Sequence, residues 1–139
     1  MTARFLVDAG NSRIKWACHR HGRLEPGLPF ASQAEGLAER LDAHWAGLPA
    51  PAAVHVSNVA GPEVARLLHA WIERHWRLSP VFARSRACCG PVVNGYAEPD
   101  RLGVDRWLGL LGLYRDHPLP ACLVDCGTAM TLDALAADG

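Results

Sequence analysis

The sequence predicts an α/β fold built on a mixed sheet. Two observations carry this: apolar runs and turns at the start of the chain read as a β meander, and helical and strand patterns alternate after it. Residues 5–7 and 14–17 are short apolar runs flanking Asp8-Ala9-Gly10-Asn11-Ser12-Arg13, the pattern of a hairpin whose turn carries polar groups. Residues 24–30 add a third strand. Ser32 and Glu35 have capping-box spacing, and Leu37, Ala38, Leu41 and Trp45 then recur at the helical period. Residues 54–58 read as a buried strand. Pro62 comes next at the position of a first helical residue, and Val64, Leu67, Leu68, Trp71, Ile72 and His75 mark one helix face. Residues 80–83 supply a further strand.

The stretch 85–102, which contains Gly90-Pro91, Asn94-Gly95 and Pro99, is rich in turn residues and separates this unit from the remainder of the chain. The expected division is a first domain over residues 1–90 and a second from 91 to 139. In the second, Val104, Trp107, Leu108 and Leu111 fall on a helical stripe. Gly109 and Gly112 each cost about 1 kcal/mol relative to alanine, and they share a face where close packing compensates. Residues 121–124 and 130–135 read as strands around Asp125-Cys126-Gly127-Thr128-Ala129. One helix and two strands bury little apolar surface by themselves, so the second domain is expected to be the truncated start of a larger one. The isolated chain is accordingly expected to be poorly stable and inactive.

Composition narrows the function. Half of the 139 residues are hydrophobic, and 14 basic side chains balance 14 acidic ones, so there is no electrostatic footprint for nucleic acid or an anionic membrane. No apolar run approaches the roughly 20 residues of a membrane-spanning helix, and Asp8 interrupts the N-terminus before a signal-peptide core forms. The expectation is a cytoplasmic protein with no nucleic-acid or membrane partner. Five cysteines without C-x-x-C spacing argue against a disulfide framework or a structural zinc site. The seven histidines form no H-E-x-x-H set.

The most informative pattern is an internal echo, Phe5-Leu6-Val7-Asp8-Ala9-Gly10-Asn11-Ser12 against Cys122-Leu123-Val124-Asp125-Cys126-Gly127-Thr128-Ala129. In each, an apolar strand runs into Asp-x-Gly and a residue with a hydroxyl or amide. Glycine lets the backbone approach an anion and present its N–H groups, while Asn, Ser or Thr adds donors. An aspartate at the rim suits hydrated Mg²⁺, which keeps waters and takes one or two carboxylates. For either copy alone, a strand ending in a tight turn is the simpler reading. Lys15 is the only lysine in the chain, and it reads either as a point charge beside phosphate or as a solvent-facing strand residue. Asp105, next to Arg106, is placed either as a base that accepts a hydroxyl proton or as an acid favoured at a helix start.

Two phosphate-gripping hairpins, one per domain, resemble the actin-like (ribonuclease H-like) superfamily of acetate and sugar kinases. The resemblance sharpens with three ordered motifs: Asp8-x-Gly10-Asn11-Ser12-x-x-Lys15, Asn94-x-Tyr96-x-x-Pro99-x-x-Leu102-Gly103-x-Asp105-Arg106, and Asp125-x-Gly127-Thr128-Ala129-x-Thr131-x-Asp133. Together they resemble the type III pantothenate kinase family. The resemblance implies ATP-dependent phosphorylation of pantothenate, the first step of coenzyme A synthesis. It implies that Asp8, Ala9, Gly10, Asn11, Ser12, Arg13, Ile14 and Lys15 bind ATP with Thr128, and that Asp8 holds Mg²⁺ through water. It implies that Tyr96, Gly103, Val104, Asp105 and Arg106 bind pantothenate, with Asp105 as the catalytic base. Asp125 is implied as the ligand of a monovalent cation, K⁺ or NH₄⁺, and the full-length family member as a homodimer. The alternative is a regulatory nucleotide-binding protein on the same scaffold, or an inactive fragment.

Overall fold

A computed structural model describes residues 3–139, so residues 1–2 of the expected first domain lie outside the described residues. The chain forms two compact units, one ending at Ala83 and the other spanning Arg84–Gly139. Residues 84–90 thus belong to the second unit.

In the first unit, β1 (Arg4–Ala9) is the central strand. It pairs antiparallel with β2 (Arg13–Arg20), whose outer edge carries β3 (Arg23–Pro26) and β4 (Phe30–Ala31). The single third strand expected over 24–30 is therefore two short ones. The break falls at Gly27, where an added Cβ would lie 1.9 Å from the Trp16 ring, so only glycine lets the chain cross the indole. After α1 (Leu37–Trp45), β5 (Ala53–Asn58) pairs parallel with β1; after α2 (Pro62–Trp76), β6 (Val81–Phe82) pairs parallel with β5. The sheet order β3-β2-β1-β5-β6 is the mixed sheet expected of a meander followed by helical crossovers.

Alternation along β1 puts Phe5, Val7 and Ala9 on one face, all at or below 4% exposure, and Asp8 on the other. Trp45, fully buried, is the hub of that face. Its ring meets those of Phe5, Phe30, Trp71 and Trp76 at centroid distances of 5.0 to 6.0 Å, mostly edge to face. Burying each such side chain contributes about 1.5–3 kcal/mol, which is why two modest helices suffice to hold the sheet.

The capping box does not form. Helix α1 begins after Gly36, which lies at φ 66°, and no side chain caps it. Arg40 instead reaches back to the carbonyl oxygens of Ala31, Gln33 and Glu35, gathering the chain that precedes the helix. Ser32 is buried, and its backbone N–H is spent on Ser12 O at 3.1 Å.

The second unit contains β7 (Cys88–Cys89) paired with β8 (Val92–Val93), a 3₁₀ turn over Pro99–Arg101, helix α3 (Val104–Asp116), and the antiparallel hairpin β9 (Ala121–Cys126) and β10 (Met130–Leu135). Its core gathers Val92, Leu102, Trp107, Leu110, Leu113 and Leu135. The helical stripe is rotated in part from the expected one: Val104 and Trp107 are buried as read and Leu111 packs against the core, but Leu108 is exposed and Leu110 and Leu113 are buried in addition. Gly109 explains the rotation, because Leu123 packs where its side chain would be, 2.5 Å from an added Cβ. Gly112 meets nothing within 4 Å, so the expected compensation holds at one glycine of the pair.

A working capping box would make Ser32→Ala cost about 0.5–2 kcal/mol. With Ser32 Oγ unpartnered among the described residues, the replacement should instead be neutral or slightly stabilising in urea unfolding, whereas Arg40→Ala should destabilise.

Candidate active site

The β1–β2 turn is closed by a backbone bond from Gly10 N–H to Arg13 O at 3.0 Å. An added Cβ on Gly10 would stand 3.3 Å from that same oxygen, so the closeness of the turn favours glycine. Asp8 and Lys15 are cross-strand partners in register, with Lys15 Nζ 3.8 Å from Asp8 Oδ2 and both side chains well exposed. A lysine ammonium and a carboxylate thus stand together at the mouth of the turn, near the carboxyl end of β1. Asp8 also pairs in register with Ser57 on β5. Asn58, next along, closes its own turn by accepting from Ala60 N–H and donating to Gly61 O.

The second unit brings Tyr96, Arg106 and Asp133 together. Arg106 donates from Nε to Asp133 Oδ2 at 2.9 Å and from Nη2 to Oδ1 at 2.6 Å, a bidentate pair. Its Nη2 also donates to Tyr96 Oη at 2.6 Å, and Tyr96 Oη donates to Asp133 Oδ1 at 3.1 Å. The guanidinium lies 5.5 Å from the tyrosine ring centroid. The hydrogen bond from Arg106 holds the Asp133 carboxyl below its ordinary value, against the opposing effect of burial, and Asp133 in turn raises Arg106. A pocket of about 280 Å³ opens beside these groups, lined by Asn94, Tyr96, Leu110, Leu132 and Asp133 among others.

The loop bearing Tyr96 is fixed by Asn94, 7% exposed. Its side-chain amide donates to Arg86 O and Pro99 O, and its Oδ1 accepts from Tyr96 N–H. Asp105 occupies the first turn of α3, half-buried, with Oδ1 accepting from Arg106 N–H at 2.8 Å. An added Cβ on Gly103 would stand 2.7 Å from that oxygen, so the glycine leaves the carboxylate its place. Val104, by contrast, is a core residue.

Asp125 is exposed at the end of β9, opposite Thr131 in register, and Thr128 lies in the turn that Gly127 N–H closes onto Ala129 O. Its exposure means that no buried charge here demands a compensating cation. Among the described residues no group of three or more His, Cys, Asp or Glu gathers to hold a metal. Asp8 still fits hydrated Mg²⁺, which needs only one or two carboxylates beside phosphate oxygens.

Two residues of this site lie outside the candidate set that the motifs imply. Asp133 closes the third motif and Asn94 opens the second, and neither carries an implied role. The sequence signal for Asp133 is an acid in an otherwise apolar strand pattern, where a buried charge needs a partner.

The first unit carries a turn with backbone donors and a lysine, and the second carries an arginine fork bonded to two residues of a pocket wall, Tyr96 and Asp133; each is a part that a phosphotransferase acting on a small anionic substrate requires. The chain belongs to the type III pantothenate kinase family, whose model matches residues 4–139. Relatives named type III pantothenate kinase include proteins of Nitrosococcus oceani, 44% identical over 144 residues, and Burkholderia thailandensis, 47% identical over 142. Each alignment covers 96% of this chain, and 52% and 51% of the respective relative. A Paraburkholderia phymatum relative of the same name is 40% identical over 148 residues, covering 99% of this chain and 51% of its own length. The chain thus spans about half the length of the curated relatives it matches.

The Asp133 carboxyl is lowered from 3.8 on folding, so its contribution to stability is present above that value and is lost as pH falls through the still lower folded value. Asp133→Asn should therefore cost about 1–3 kcal/mol at pH 7, and the gap between variant and parent should narrow below pH 3.8. Urea unfolding across that range checks both the size and the direction.

Proposed function

We propose that this chain supplies the nucleotide grip and the substrate pocket of an enzyme that phosphorylates pantothenate to 4'-phosphopantothenate with ATP, the first step of coenzyme A synthesis. The observation that carries this reading is the Arg106–Asp133–Tyr96 arrangement with Asp105 at the adjoining helix start, on a chain matched by the family model over nearly its whole length. A protein that only bound its ligand would have no use for the base. The strand order of the first unit supports an actin-like, ribonuclease H-like classification, and the second unit is read as the start of a similar domain.

In this mechanism residues 8–15 receive the phosphates of ATP. Backbone N–H groups of the turn and the Lys15 ammonium neutralise charge, and the side chains of Asn11 and Ser12 add donors. Asp8 would hold Mg²⁺ through water, the ion supplying charge neutralisation on the phosphates. Thr128 serves as a further nucleotide contact. Arg106 takes the carboxylate of pantothenate and Tyr96 packs beside it, so that the primary hydroxyl is oriented towards Asp105. The hydroxyl oxygen attacks the γ-phosphorus as Asp105 accepts its proton, the bond to the bridging oxygen breaks, and ADP departs. Asp125 is proposed as the ligand of K⁺ or NH₄⁺ on the strength of the motif alone. A cytoplasmic homodimer is proposed for the active protein.

The test is a chimera in which residues 1–139 replace the matching half of the Nitrosococcus oceani relative. Pantothenate-dependent ADP release is expected, and its absence from a folded chimera would remove the assignment. In the chimera, Asp105→Asn keeps the shape at the helix start but removes the base, so turnover should fall about 10²- to 10⁴-fold with little change in the thermal melt. Turnover within threefold of the parent would take Asp105 out of the mechanism. Replacing K⁺ by Na⁺ should lower the rate, and equal rates would remove Asp125 as a cation ligand.

A further inference from the structure

Asp133 has 3% of its side chain exposed and lies in the pocket wall, yet the proposed reaction gives it nothing to do. Both of its oxygens are engaged. Oδ2 accepts from Arg106 Nε, and Oδ1 accepts from Arg106 Nη2 and from Tyr96 Oη. Two parallel bonds to a planar fork fix both the plane and the rotation of the guanidinium, which one bond or a bare ion pair would leave loose. Of the five N–H donors of Arg106, Nε uses one and Nη2 uses both of its own, on Asp133 and on Tyr96. The two hydrogens on Nη1 are outside these bonds. Tyr96 has a single hydroxyl hydrogen, and it points to Asp133.

We propose that Asp133 is the positioning residue of the pocket: it holds Arg106 so that the Nη1 edge receives the anionic group of the substrate, and it keeps the hydroxyl hydrogen of Tyr96 turned away from that group. The inference rests on the proposed binding of pantothenate. The charges alone point the other way. The carboxylate of Asp133 repels the carboxylate of the substrate, so a purely electrostatic account expects tighter binding once Asp133 is neutralised and Arg106 is left uncompensated. Positioning expects the opposite, because the freed guanidinium must be ordered again each time a ligand binds. A role confined to stability expects a lower melting temperature with unchanged affinity in the folded protein.

Two measurements on the chimera with the Nitrosococcus oceani half separate these accounts, using the parent chimera, Asp133→Asn and Asp133→Glu. The first is water exchange of the Arg106 Nε–H by nitrogen-15 NMR, which needs no ligand. In the parent it should be at least tenfold slower than that of the exposed Arg23, and in Asp133→Asn it should approach the Arg23 rate. The second is the pantothenate dissociation constant by calorimetry, which should weaken at least tenfold in Asp133→Asn while ADP binding stays unchanged. Asp133→Glu keeps the charge but displaces the carboxylate by one methylene, so its affinity should fall between the two. If Asp133→Asn does not fold, the comparison of Asp133→Glu with the parent carries the test. Unchanged or tighter pantothenate binding in a folded variant would overturn the proposal, as would an Arg106 exchange rate in the parent equal to that of Arg23. If the parent itself gives no heat with pantothenate, the substrate reading fails, and the exchange rates alone decide whether Asp133 holds Arg106.

Discussion

The bidentate bond between Arg106 and Asp133 is the constraint on which the candidate pocket depends. It joins the start of α3 to the middle of β10, residues 27 apart in sequence, and it brings in Tyr96 from a loop. A carboxylate so buried is costly unless paired and hydrogen-bonded. Here each oxygen has a donor, and the arginine that satisfies it remains able to meet a ligand. In the proposed pocket, stability and recognition would therefore use the same group. The apolar packing of Trp107, Leu110 and Leu135 holds helix and strand at the separation which that bond needs.

The first unit is held differently. Its sheet is covered by an aromatic cluster centred on Trp45, all on one face, while Asp8 and Lys15 project from the other side of the central hairpin. Because β1 is paired along its length on both edges, antiparallel to β2 and parallel to β5, the turn after Asp8 rises from a well-constrained strand of the sheet. A rigid strand presenting a short glycine-containing turn is well suited to hold backbone donors in place for phosphate oxygens.

Most of the first unit is legible from sequence, because period-2 and period-3.6 patterns are clear around Val54, Pro62 and Leu68, and the elements there appear where their patterns lie, while the strand expected over 24–30 is broken at Gly27. The differences have local causes. Ser32 and Glu35 have capping-box spacing, but Gly36 lets the chain turn later and Arg40 binds the carbonyl oxygens in their stead. The stripe of α3 differs because Gly109 reads as a weak helix residue, whereas its missing side chain is the contact that seats Leu123. The site is legible as motif residues, with Tyr96 and Arg106 adjoining in space. Asp133 is legible only as an acid in an apolar strand pattern; its partner Arg106 stands 27 residues away, a pairing that no local pattern displays.

The most direct measurement of the central claim is a crystal structure of the chimera with pantothenate bound. The carboxylate of pantothenate should lie within hydrogen-bonding distance of Arg106 Nη1, with both bonds from Arg106 to Asp133 retained and the primary hydroxyl directed to Asp105. A pantothenate carboxylate bound away from Arg106, or an Arg106 that leaves Asp133 to reach it, would contradict that claim.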